Sequence, residues 1–178
     1  MGDGARDSNL RSLMMFEPQK RFSWMLVVLS ALSFVGAALY FQYGMNLDPN
    51  VLCIYQRGAL SGVALGGLLG FLFPTHLAPR VLAYLAIGVS AVFGLRFAIQ
   101  HVVSLTSVWY DCSLMPDFPT WLSLHEWLPV VFQPKAMCDE ADWAFLGFTM
   151  SEIMVGVFAA YLTGLAYTSR REFEILGR

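Results

Sequence analysis

Apolar residues run in four long blocks separated by polar breaks, at roughly Phe22–Tyr43, Val51–Phe73, Val81–Gln100 and Glu152–Thr168. A helix needs about 20 mainly apolar residues to cross a bilayer. The pattern therefore predicts an all-α integral membrane protein, a four-transmembrane-helix bundle, with residues 1–178 forming one membrane domain. The first block exceeds the roughly 7–15 apolar residues of a signal peptide and has no obvious small-residue cleavage site, so it reads as a retained span. No internal repeat or low-complexity run interrupts the pattern.

The breaks differ in kind. Gly44–Asn50 is short, and Pro74-Thr75-His76-Leu77-Ala78-Pro79-Arg80 reads as a tight turn with two prolines. His101–Ser151 is long but not simply polar. Within it, Phe118-Pro119-Thr120-Trp121-Leu122-Ser123-Leu124-His125-Glu126-Trp127-Leu128 mixes large apolar and polar residues at near-helical spacing. Trp and Tyr favour the membrane–water interface, so this piece is expected to lie flat as a short interfacial helix. The tail Ser169–Arg178 is polar and expected to be short or frayed.

Composition strengthens the membrane reading. The chain is 57% hydrophobic and 13% charged, against about 25% charged in soluble domains. A net charge of −2 says little, but its placement says more. Arg6, Arg11, Lys20, Arg21, Arg80, Arg170, Arg171 and Arg178 share one side if the four spans alternate, and Lys135 alone lies on the other. The positive-inside bias then places both termini in the cytoplasm. Residues 44–50 and 101–151 become the external loops, the longer carrying Asp111, Asp117, Glu126, Asp139, Glu140 and Asp142. No basic patch suits nucleic acid.

All three cysteines, Cys53, Cys112 and Cys138, fall on that external side, where an oxidising environment lets disulfides persist. An odd number leaves at least one without a partner in the chain. Asp48-Pro49-Asn50-Val51 looks like a helix start, with Asn50 as cap. Cys53 would then be the third helical residue, near unpaired backbone N–H groups and the positive end of the helix dipole. Arg57, one turn further along the same face, adds a full cation. Both favour the thiolate, the reactive form, over an inert buried cysteine.

A cation inside a span is costly and usually purposeful. Arg57 can snorkel to the interface or meet a lipid headgroup. Alternatively, with His101 at the outer end of the third span, it can offer donors to the carbonyls of a quinone. Cys112 and Cys138 lie 26 positions apart in the long loop. A structural disulfide there would contribute roughly 3–4 kcal/mol by loop closure, and a catalytic one would be strained or exposed. The spacing does not choose between them. No metal-ligand spacing is present. Ser61, Gly62, Gly66, Gly67 and Gly70 suggest a small-residue packing stripe, and Arg96 has no evident role.

The run Val51-Leu52-Cys53-Ile54-Tyr55-Gln56-Arg57, with Trp121 to Phe132 and Trp143-Ala144-Phe145-Leu146-Gly147, resembles the disulfide bond formation protein B (DsbB) family. The similarity extends from about Phe22 to Tyr167. It implies a bacterial inner-membrane enzyme that reoxidises a periplasmic thioredoxin-fold protein of the DsbA type and passes electrons to membrane quinone, ubiquinone or menaquinone. It also implies roles for residues. Cys53 matches the second cysteine of a first-loop Cys-x-x-Cys, and Cys112 and Cys138 match a second-loop pair whose first member forms the mixed disulfide with DsbA. Arg57 and His101 match positions near the quinone.

One departure is serious. Asn50 stands where the motif's first cysteine belongs, while Gln56 for the common Glu is a lesser change. Without that cysteine the four-cysteine relay cannot close. The expectation is an enzyme impaired or trapped in turnover, or one rerouted through direct Cys53–Cys138 exchange. The alternative is a non-catalytic membrane protein that captures or scaffolds thiol partners. A transporter or channel is disfavoured, because the spans hold no set of ionisable residues beyond Arg57 and Arg96.

Overall fold

The computed structural model describes residues 21–106, 116–118, 123–137, 144–145 and 147–176. In chain order these form α1 (Arg21–Gly44), α2 (Val51–Leu72), α3 (Leu77–Thr106), the one-turn helices α4 (Leu124–Trp127) and α5 (Pro129–Phe132), strands β1 (Ala144–Phe145) and β2 (Phe148–Thr149), and α6 (Met150–Leu176). Four helices are long and apolar enough to cross a membrane: α1, α2, α3 and α6. The expected helical, four-span architecture is present, with one short hairpin added.

Helix ends depart from the expected spans for local reasons. The third begins at Leu77 rather than Val81, so Pro79 lies in its first turn, where no intrahelical N–H is required. The two-proline turn shrinks to the residues around Pro74–His76, α2 ending before Phe73, whose place ahead of Pro74 disfavours helical backbone. At its other end α3 runs on to Thr106, which puts His101 inside the helix rather than at its tip. The last helix spans Met150–Leu176, absorbing most of the tail expected to fray.

Among the described residues, the expected interfacial helix over 118–128 is helical at its C-terminal end. Its described part is α4, which stops at Leu128 (φ −134°, ψ 64°) before Pro129 starts α5. Trp127, Leu128 and Val130 remain exposed and Phe132 is buried. A short hairpin, not anticipated, pairs Ala144 with Thr149 and Phe145 with Phe148. Its turn uses Gly147 at φ 86°, which a side chain would strain.

Helix α2 is central. More than half of its apolar window (56%) is buried, against 28% for α3 and 11% for α1 and α6. Small residues allow the close approach that drives helix association in lipid. A side chain at Gly62 or Gly66 would collide with Ser90 or Ile87 of α3, and one at Gly70 with Trp24 of α1. The expected stripe is thus two stripes facing two neighbours. The Ser61 hydroxyl donates to the Arg57 carbonyl within α2 (2.9 Å).

Among the described residues, the two larger of three apolar clusters fill the middle of the bundle. One joins Trp24 and Ala31 to Val63, Ala83 and Ile87. The other joins Leu60, Ala91 and Ala98 to Met154 and Phe158. Phe158 packs into the gap left by Gly94. Large side chains such as Leu29, Leu65, Leu85 and Val89 are exposed on the outside, as expected where the surrounding solvent is hydrocarbon.

Candidate functional site

The site is built on the first turn of α2. Asn50 has extended backbone (φ −83°, ψ 172°) and its Oδ1 accepts the Cys53 N–H at 2.9 Å. This is the expected cap, and it makes half-buried Cys53 the third helical residue. The same Asn50 side chain turns its Nδ2 to Nε2 of His101 on α3, 2.8 Å away. His101 is 2% exposed, and its Nδ1 lies 4.0 Å from Cys53 Sγ and 3.4 Å from the Gln56 amide nitrogen.

Arg57 does not snorkel. It is buried, and its guanidinium ties three segments together. Nη1 donates to Gln42 Oε1 of α1 and to the Val131 carbonyl of α5 (2.9 Å), while Nη2 donates to the Ala38 carbonyl (3.1 Å). A guanidinium has five N–H donors. The Nε–H is buried with no partner among the described residues.

The α4–α5 segment closes this end of the bundle. Backbone N–H groups of Lys135 and Ala136 donate to the Pro49 carbonyl (2.8 and 3.2 Å), and the Tyr43 hydroxyl donates to the Val130 carbonyl at 2.6 Å. The Asp117 N–H donates to the Tyr55 hydroxyl at 2.6 Å, and Tyr55 stacks on Phe97. Beneath the closure lies a cavity of about 540 Å³ lined by Phe34, Ala38 and Phe41 of α1, Cys53, Gln56 and Arg57 of α2, His101, Met137, and Ile153 and Met154 of α6.

Cys53 and Arg57, one turn apart on α2, and His101 of α3 therefore share one largely apolar cavity. Cys112 and Cys138 lie outside the described residues, as do Trp121 and Trp143. No cluster of metal-binding side chains occurs among the described residues. Two further polar residues are central: Gln42, which the sequence reading did not single out and which receives Arg57, and Gln56, read there only as a lesser change from Glu, which faces His101. Gln42 had a signal, being a buried amide in an otherwise apolar span, and such groups in membranes usually answer a partner. Arg96 is exposed on the outer face of α3, away from the cavity.

The fold and this end of it define a class: a four-helix, multi-pass membrane protein with a thiol held at a helix start beside an imidazole and a buried guanidinium. Comparison with known proteins gives that class a family. The sequence pattern of the family described as "Disulfide bond formation protein DsbB" matches residues 20–168. Proteins named "Disulfide bond formation protein B" are similar along most of both chains. That of Shewanella amazonensis is 46% identical over 155 residues, covering 86% of this chain and 91% of the relative. That of Histophilus somni is 41% identical over 157 residues, covering 87% and 89%. That of Psychromonas ingrahamii is 41% identical over 145 residues, covering 80% and 78%. The chain belongs to the DsbB family, the membrane-embedded, disulfide-forming oxidoreductases.

Proposed function

We propose that this protein is a quinone-linked thiol–disulfide oxidoreductase, limited in turnover by Asn50. Its substrate would be the reduced dithiol of a periplasmic thioredoxin-fold protein of the DsbA type. Cys112 and Cys138 would exchange with that dithiol, Cys112 forming the mixed disulfide. The two electrons and two protons released as the dithiol becomes a disulfide would pass to ubiquinone or menaquinone. The protein would sit in the bacterial inner membrane with both termini cytoplasmic and the cysteines periplasmic.

The observation that carries this reading is the cavity joining Cys53 to Arg57. A quinone supplies a two-electron acceptor with carbonyl oxygens, a planar ring and an apolar tail. The residues fit such a group at Arg57, whose buried Nε–H has no partner among the described residues and can donate to a carbonyl oxygen. Phe34, Phe41 and Met154 supply apolar walls. Gln42 and the carbonyls of Ala38 and Val131 hold the guanidinium in place, so donating to a ligand requires no reorganisation. His101 lines the same cavity with both ring nitrogens facing Asn50, Gln56 and Cys53.

Asn50 limits the route. It cannot form the disulfide that a cysteine there would make with Cys53, so oxidising equivalents reaching Cys53 have no partner within its motif. Direct Cys53–Cys138 exchange would be the remaining link; Ala136, two positions before Cys138, is docked on Pro49 beside Asn50.

Stopped-flow mixing of quinone-loaded protein with a reduced DsbA-like substrate tests the reading. Many substrate equivalents oxidised per protein, with matching quinone reduction, establish a rerouted enzyme. One equivalent trapped as a mixed disulfide at Cys112, with quinone untouched, establishes a cut relay. A stable Cys112–Cys138 disulfide that ignores the substrate would instead favour the scaffold reading.

A further inference from the structure

The orientation of the Asn50 amide decides the protonation of its neighbour. Only the oxygen end of an amide can accept, so the cap bond from the Cys53 N–H fixes Oδ1 on α2. Nδ2 is left facing Nε2 of His101 at 2.8 Å. An amide nitrogen only donates, so Nε2 must offer its lone pair. A doubly protonated ring would set donor against donor there. The Asn50–His101 bond fits a neutral ring whose single proton is on Nδ1, the nitrogen facing Cys53 Sγ.

Gln56 provides a check. Its amide nitrogen lies 3.4 Å from Nδ1. Two amide nitrogens cannot both donate to a neutral imidazole, so one amide must be reversed, an ambiguity that hydrogen-bond partners resolve. Asn50 is anchored by its cap bond, so it is Gln56 that presents Oε1 to the Nδ1 proton. Cys53 and Gln56 then bracket that proton as acceptors.

We propose that Asn50 is a positioning residue: by capping α2 and donating to His101 it holds the imidazole as the neutral Nδ1–H tautomer, a hydrogen-bond donor toward Cys53 rather than a base for its thiol. This deepens, and rests on, the reactive role given to Cys53 above. In an ordinary Cys–His nucleophile the ring nitrogen facing sulfur takes the thiol proton. Here that nitrogen already carries a proton, so the Cys53 proton must leave by another route, while the thiolate, once formed, gains a donor in addition to the helix end.

Nitrogen-15 NMR of histidine-labelled, quinone-free protein in nanodiscs near neutral pH tests this without any turnover. Protonated and bare ring nitrogens resonate far apart, and His76→Gln and His125→Gln assign the His101 signals. The expected parent spectrum shows Nδ1 protonated and Nε2 bare. A proton on Nε2, or on both nitrogens, overturns the proposal. Asn50→Asp keeps a good cap but replaces the donor with an acceptor, so the proton should move to Nε2; an unchanged tautomer would remove Asn50 from the role. Cys53→Ala should shift the Nδ1–H signal without changing the tautomer, and no shift would exclude the contact with sulfur. Because no quinone or substrate is present, a failed electron-transfer assay would overturn the oxidoreductase reading and leave these spectra as they are.

Discussion

Two buried arginines lie near opposite ends of the bundle, and they are held very differently. Arg80, 5% exposed, donates from Nη1 to the Pro74 carbonyl six residues back, across the turn that starts α3. Arg57, 4% exposed, reaches partners 15, 19 and 74 positions away and fronts a cavity. Burial of a cation in a membrane protein is therefore not enough to mark a site. At the Arg57 end, long-range partners hold the charge still while a cavity and a thiol stand beside it. At the Arg80 end the arginine reaches back across its own turn.

The largest effect expected from this contrast is at Asn50. Asn50→Cys restores the first cysteine of the motif, and should convert at most one equivalent of substrate oxidised into many, read by stopped-flow with quinone reduction. Next comes the pair of arginines. Arg57→Ala should weaken quinone binding by roughly tenfold or more, the scale of a hydrogen bond to a charged group. Arg80→Ala should leave quinone titrations of the folded protein unchanged. Equal losses in both would erase the distinction between the two ends.

Packing tests the far end separately. Gly70→Val would drive a side chain into the Trp24 ring, which already fills the space beside Gly70. It should cost about 1–3 kcal/mol of stability, as overpacked cores do, with quinone affinity of the folded fraction intact. Asn50→Ala should cost about 1 kcal/mol through the lost cap, and Asn50→Ser, which keeps a capping oxygen, distinctly less. Both are measurable as shifts in the unfolding midpoint in detergent. Smallest of all, Arg96→Gln on the outer face should change stability by no more than about 0.5 kcal/mol and leave the Cys53 site untouched.

The four spans, the cap at Asn50 and the helical position of Cys53 were legible in the chain because each depends on neighbours within a turn or on the length of an apolar run. Helix ends were less so. Pro79 looked like a breaker but sits where a first turn tolerates it, and Pro129 opens a second one-turn helix just past the segment read as interfacial. His101 and Arg57 were identified by residue type and depth, but the cavity between them was not.

What the sequence alone determined is a membrane protein of four apolar helices with a thiol at a helix start, because hydrophobic length, capping chemistry and charge placement are local properties. Tertiary structure alone decided that Gln42 of α1 and Val131 of α5 clamp Arg57, and that His101 of α3 meets Asn50 and Cys53. Those contacts need helix faces brought together by small residues such as Gly66 and Gly70. In a low-dielectric interior each buried polar group must then find a partner among whatever the packing places beside it.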